Sequence, residues 1–295
     1  MLHSMPPTVM PGRGLLGEDQ TIDTPDGRGI RAMVRGTGND LVVLEAGLGI
    51  SGLYWAAVHE ALAASVRVVA YERAGFGGSD PDDHARTLAR MASDLETVID
   101  AFPHRRLVLV GHSWGGPIVR TLAGSLADRG QPVSGLVLVD PSDENSDMYF
   151  SGSARLGFAV QAALMMPLAR LRLLPRIVRA QTAGLAEPVR RAVIEASSSL
   201  NAARGTAAEQ RHVIEELRDL RDSPGDYGTV PTRVISGLRA SRIDAKARAS
   251  ITQAHQTTVN EHAGARLVPA FQSGHQIPIT EPGLIVAQAL DLLDD

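Results

Sequence analysis

Short apolar runs alternate along this chain with longer stretches of helical spacing. Leu41–Leu44, Leu107–Val110 and Leu136–Val139 are apolar at every position, the pattern of strands covered on both faces. Gly29–Val34, Arg67–Tyr71, Thr232–Ile235 and Arg266–Val268 are further strand candidates. Between them, apolar residues at helical spacing predict helices near Leu53–Ala64, Thr87–Ala101, Gly115–Leu126 and Pro282–Leu293. Strand alternating with helix implies an α/β fold: a mostly parallel central sheet with helices on both faces. The start differs. Thr21–Asp23 and Gly29–Val34 flank Pro25-Asp26-Gly27, which reads as an antiparallel hairpin at one edge.

The alternation stops after Asp140. From about Ser142 to Asp226 the pattern is helical, first rich in Leu, Met and Arg and then highly charged. We therefore expect a core formed by residues 1–141 and 227–295, with a helical cap, 142–226, inserted after the sixth strand. Cap packing is the preferred reading of the Arg/Leu-rich half; a separate surface-binding role is the alternative. The apolar run from Leu156 to Leu168 falls short of the roughly 18 to 20 residues of a membrane span.

Composition narrows the function classes. With 295 residues and 44% hydrophobic positions, a full core can form. A net charge of -4 leaves no basic footprint for nucleic acid. The absence of cysteine excludes disulfides, thiolate metal sites and a cysteine nucleophile. Residues 1–20 carry no apolar segment bounded by basic residues, so no secretory signal is expected and a cytoplasmic location is the default.

The strongest chemical signal is Gly111-His112-Ser113-Trp114-Gly115, placed directly after a strand candidate and directly before a helix candidate. In that context G-x-S-x-G is a nucleophile elbow, a strained turn that lifts the serine hydroxyl above the sheet edge. Serine needs an adjacent base. Of nine histidines, His275 is preferred, because it lies in a loop between the last strand candidate and the last helix. His112 neighbours the serine on a turn where adjacent residues point apart, so it is expected to pack. His255 and His262 fall in or near a helical stretch and are expected to be solvated. Chain order Ser, acid, His restricts the orienting carboxylate to residues between Ser113 and His275. Asp140, ending the run Gly135–Val139, is favoured over Asp244, whose other reading is a helix N-cap. An oxyanion hole needs two backbone donors. The N–H groups of Trp114 and of Leu48, in the loop after Leu41–Leu44, are the candidates, and Glu45 is expected to anchor that loop.

Five segments together resemble α/β-hydrolase-fold enzymes: Glu45–Gly49, Tyr71–Ser79, Gly111–Gly115, Gly135–Pro141 and Gly274-His275. The resemblance runs from about Gln20 to the end of the chain. It implies a helical cap that shapes the pocket, no metal or organic cofactor, and ester, thioester, lactone or amide cleavage through an acyl-enzyme. Family members that attack with aspartate, the haloalkane dehalogenases and epoxide hydrolases, are disfavoured by Ser113. Ala46 stands where the family usually has histidine, and Glu72 where it often has aspartate. Gly237-Leu238-Arg239-Ala240 lacks the acid that many members carry after the penultimate strand. Some relatives place that acid one strand earlier, at the position of Asp140. The leading expectation is a carboxylic ester or lactone of a fairly apolar small molecule, with Met165, Met166 and Leu168 adapting to it. Carbon–carbon bond hydrolysis, aminopeptidase action, cofactor-free perhydrolysis and a non-hydrolytic receptor role are the alternatives.

Overall fold

A computed structural model describes residues 10–224, 227–241 and 244–294. Residues 1–9 of the segment read for a leader, and the end of the expected cap at 225–226, lie outside the described residues.

In chain order the strands are β1 (Glu18–Asp23), β2 (Gly29–Arg35), β3 (Asp40–Glu45), β4 (Arg67–Tyr71), β5 (Arg106–His112), β6 (Gly135–Val139), β7 (Thr232–Gly237) and β8 (Ala265–Ala270). They form one sheet in the order β1-β2-β4-β3-β5-β6-β7-β8. β1 and β2 pair antiparallel, as the turn residues predict, with the Thr24 N–H on the Arg28 carbonyl at 2.8 Å and Gly27 in left-handed backbone. β2 is also antiparallel to β4, and every later pair is parallel.

The helices α1 (Ala56–Leu62), α2 (Leu88–Asp100) and α3 (Gly115–Asp128) follow β3, β4 and β5 respectively. The stretch between β6 and β7 holds α4 (Gly152–Arg170), α5 (Leu174–Gln181), α6 (Glu187–Ser197), α7 (Leu200–Gln210) and α8 (Val213–Asp222), with no strand among its described residues. After β7 come α9 (Ala245–Glu261), then α10 (Ile277–Thr280) and α11 (Pro282–Asp294) beyond β8.

Alternation along each strand splits the interior into two cores. Val42 and Leu44 of β3 join Val58 and Leu62 of α1 and Ile285, Ala289 and Leu292 of α11. Leu41 and Val43 face the other way, against Met91, Leu95 and Val98 of α2 and Ile118 and Leu122 of α3. A strand buried on both faces has no polar positions to spare, which is why LVVL and LVLV are continuous. The carboxyl ends of the parallel strands, where α/β sheets bind ligands, carry Glu45, His112, Asp140 and the loop after β8.

Candidate active site

β5 delivers Ser113 through a turn that is strained and tightly held. Ser113 has φ 54, a left-handed conformation that L side chains rarely adopt. Its N–H donates to the Val139 carbonyl at 3.0 Å, and its carbonyl accepts from the N–H groups of Gly116 and Ser142, each at 3.0 Å. The flanking glycines are steric requirements: a Cβ on Gly111 would lie 2.4 Å from the Gly115 carbonyl oxygen, and one on Gly115 2.6 Å from that of Glu45. Strand, turn and helix are thereby pressed together so that the serine stands at the sheet edge.

His275 reaches the same place from the loop after β8. That loop is tied down by the Arg239 N–H on the Ser273 carbonyl (2.8 Å) and by Ser273 Oγ on Glu281 (2.5 Å). His275 Nδ1 lies 2.7 Å from Asp140 Oδ2. Asp140, also in left-handed backbone at φ 42, accepts from the Gly237 N–H at 3.0 Å and from both terminal nitrogens of Arg248 at 2.5 and 2.9 Å. Burial alone would raise the Asp140 carboxyl; the His275 hydrogen bond and charge and the Arg248 guanidinium outweigh it and hold the group well below its ordinary range. Asp244, by contrast, is exposed and folds back onto Ser241, accepting from its N–H at 2.5 Å and its hydroxyl at 2.7 Å. It occupies the N-cap position of α9 but makes no side-chain cap bond, which corrects the N-cap reading of its carboxylate.

His112 is buried beneath His275, with ring centroids 4.7 Å apart, and its Nε2 donates to the His275 carbonyl at 2.8 Å. Burial pulls its pKa down to about 3, so the ring is neutral and acts as a packing support. His255 departs from expectation: it is fully buried, with Nδ1 2.8 Å from Ser236 Oγ and Nε2 2.9 Å from the Pro141 carbonyl. His262 is half-buried and stacks on Tyr227 at 4.4 Å.

The loop after β3 faces the serine. Gly47 and Leu48 line a small cavity of about 70 Å³ together with Ser113, Tyr54, Gln181 and His275. Neither the Leu48 N–H nor the Trp114 N–H bonds to another described residue. Glu45 anchors this loop, as expected, accepting from Tyr71 and from Arg73. Arg73 is the residue that the sequence reading missed. Fully buried, it donates to Glu45 Oε1, the Ala46 carbonyl and the Gly47 carbonyl, each at 2.6 Å, and to both oxygens of Glu209 on α7 at 2.8 and 2.9 Å. Burial disfavours its charge, but Glu209 and Glu45 more than restore it and push its pKa above the ordinary arginine value. Burial likewise pushes the Glu45 carboxyl up, with Arg73 and Tyr71 opposing.

Two larger spaces share lining residues with this small cavity. One, of about 350 Å³, shares Leu48 and Gln181 with the small cavity and runs between Met165, Leu168, Ile177 and Val178. Met166 packs beside them on Leu174 and Ala203. The other, of about 230 Å³, shares Ser113 and His275 with the small cavity and lies between Asp140, Met148, Tyr149, Asp244 and Arg248. As for metals, Asp26, Asp82 and His84 hold ligand atoms within 4.8 Å of one another, but Arg28, Arg86 and Arg90 already pair with those carboxylates.

A mostly parallel sheet with a strained serine turn after the fifth strand, and a histidine loop after the last, defines an α/β-hydrolase fold. The pattern of the alpha/beta hydrolase family matches residues 41–289, and the chain belongs to that family. It is 42% identical over 106 residues to "Putative carbamate hydrolase RutD" of Klebsiella pneumoniae (strain 342), spanning 35% of this chain and 38% of that protein. It is 24% identical over 281 residues to "AB hydrolase superfamily protein" of Gibberella zeae, spanning 84% of each. Among solved structures it resembles an esterase from Exiguobacterium antarcticum, with a TM-score of 0.71 at 21% identity over 94% of this chain and 99% of the other. The chain spans only 16% and 38% of the length of the first curated relatives it matches. No single described helix is long and apolar enough to cross a membrane.

Proposed function

We propose that the protein is a serine hydrolase that cleaves a carboxylic ester or lactone of a fairly apolar small molecule, with the insertion between β6 and β7 as its cap. The observation that carries this reading is the 2.7 Å contact from His275 Nδ1 to the buried Asp140, on a histidine that shares a cavity wall with the left-handed Ser113. In this reading Ser113 Oγ attacks the carbonyl carbon while its proton passes to His275. Asp140 accepts the Nδ1–H, fixes the tautomer and stabilises the imidazolium. The uncommitted N–H groups of Leu48 and Trp114 receive the tetrahedral oxyanion. His275 then hands its proton to the leaving alkoxide, and later takes one from water as the hydroxide attacks the acyl-serine. The acid leaves and the serine hydroxyl is restored. The space lined by Met165 and Leu168 supports an apolar substrate arm.

Turnover of p-nitrophenyl esters, from acetate to decanoate, tests the reading with wild type, Ser113→Ala, Asp140→Asn and Asp244→Asn in parallel. Wild type turns over and Ser113→Ala loses several powers of ten in kcat. A wild type that is inert across the series and also resists fluorophosphonate labelling overturns the reading in favour of a receptor-like role. The relative named for carbamate hydrolysis makes a p-nitrophenyl carbamate the next substrate to try on the same residues.

A further inference from the structure

The outer surface of α4 and α5 is not used by the chemistry above. On α4, Leu156, Val160 and Leu164 recur every four residues, and Leu171 continues their line just beyond the helix end. All four are exposed, Leu156 and Leu171 by 66% and 69%. At 100° per residue they fall within one stripe, with Pro167 among them and Arg170 on its flank, while Arg155 lies round the helix near its first turn. α5 adds exposed Ile177 with Arg176 and Arg179, and Arg172 sits in the bend between the helices. No Asp or Glu occurs between Asp147 and Glu187, so this stretch carries five positive charges and no negative one in a protein of net charge -4. None of the five arginines pairs with a carboxylate among the described residues. Exposed leucines set among unpaired arginines are costly to leave facing water and match an anionic, apolar-beneath surface. The two helices are bent by 114° against each other, so they do not form a straight span.

We propose that this face docks on an anionic lipid surface. Its position gives the docking a use. Leu164, the last exposed leucine of the stripe on α4, and Ile177 also line the 350 Å³ space, which meets the serine cavity at Leu48 and Gln181. An apolar molecule leaving the lipid at this face enters that space directly. Delivery to Ser113 rests on the hydrolase reading; docking does not.

The experiment separates the two. Ser113→Ala protein is sedimented with vesicles of phosphatidylcholine alone and of phosphatidylcholine and phosphatidylglycerol in equal parts. The expected result is binding to the anionic vesicles, little to the neutral ones, and release when salt shortens the screening length from about 10 Å to about 3 Å. Each arginine at such a surface is worth about fivefold in partition, so Arg170, Arg176 and Arg179 all changed to Gln lower it on the order of a hundredfold. Leu156→Ser with Leu171→Ser lowers it as well, without touching the charges. Circular dichroism melts of each variant establish that the fold is kept. Absence of binding to anionic vesicles, or equal binding by the folded arginine variant, overturns the proposal. So does a dimer in light scattering that the leucine changes dissolve while vesicles are not bound, because the face then belongs to a second copy. If wild type hydrolyses no ester yet its Ser113→Ala form binds anionic vesicles, docking stands and the hydrolase reading fails.

Discussion

Replacing Glu209 by Gln cuts a tie that runs from the helical insertion, through Arg73, to the loop facing Ser113. Glu209 is fully buried and gives both oxygens to Arg73, at 2.8 and 2.9 Å. Gln keeps the volume, removes the charge and turns one acceptor into an amide donor that faces the guanidinium. Arg73, still buried, then keeps Glu45 as its one remaining ion-pair partner among the described residues. Removing one partner of a buried ion pair costs about 3–5 kcal/mol, chiefly because the other charge stays buried. For a chain of this length about 1 kcal/mol lowers Tm by roughly 2 °C, so a fall of roughly 6–10 °C is expected in calorimetry. The catalytic part follows from the other end of Arg73, which holds the carbonyls of Ala46 and Gly47 immediately before Leu48. A shift of about 1 Å in that loop misaligns the Leu48 N–H and costs on the order of 10²-fold. Because the proposed role of that donor is to hold the oxyanion of the transition state, the expected loss falls on kcat in p-nitrophenyl ester turnover and KM stays within a few-fold. Glu209→Asp, which retains the charge, recovers part of both. A lowered Tm with unchanged kcat refutes the positioning role, and an unchanged Tm refutes the ion-pair argument itself.

Asp140→Asn keeps the shape of the His275 partner but loses the charge that orients it, and kcat falls on the order of 10⁴-fold. Asp244→Asn, whose carboxylate faces Ser241 rather than His275, stays within about twofold; a collapse there instead reverses the assignment of the acid. His59 is fully buried, and burial pulls its pKa down to about 4, so it folds neutral. Below its unfolded pKa of about 6.5 the unfolded chain binds the proton first, so stability present above that pH is lost as pH falls toward 4. Between pH 7 and pH 5 the loss is about 2 kcal/mol. The urea-unfolding difference between wild type and His59→Met shifts by that amount in favour of the variant, and a pH-independent difference refutes the reading. Gly111→Ala forces a Cβ to 2.4 Å from the Gly115 carbonyl; the crowding costs about 1–3 kcal/mol and lowers Tm measurably, together with fluorophosphonate labelling of Ser113. A stable, fully labelled variant means that the turn is looser than described.

The strands were legible because burial on both faces leaves a mark at every position, and LVVL and LVLV carry it. The placement of Ser113 was legible for a related reason. Its turn demands glycine at contacts under 3 Å, so a steric necessity is written as a local motif. Asp140 and Asp244 could not be separated in the same way. Each follows an apolar run, and only the folded chain reveals that Asp140 meets His275 and Arg248 while Asp244 bends back to Ser241.

What stayed hidden is what depends on partners far away in sequence. His255 sits among Gln253, Gln256, Thr257 and Thr258, a polar stretch that reads as solvated. Its burial follows from Ser236 on β7 and the Pro141 carbonyl after β6, which satisfy both ring nitrogens and remove the cost of burying them. Glu209 is the sharper case. Its neighbours on α7 give no sign that it is buried, and its partner Arg73 lies 136 residues earlier. A carboxylate enters a core only when a cation meets it there, so its burial is a property of the pair and not of either segment. Local pattern therefore reports the elements of this fold and the residues that steric strain marks. The charged contacts that fasten the insertion to the loop before Leu48 become readable only when both halves of each pair are in place.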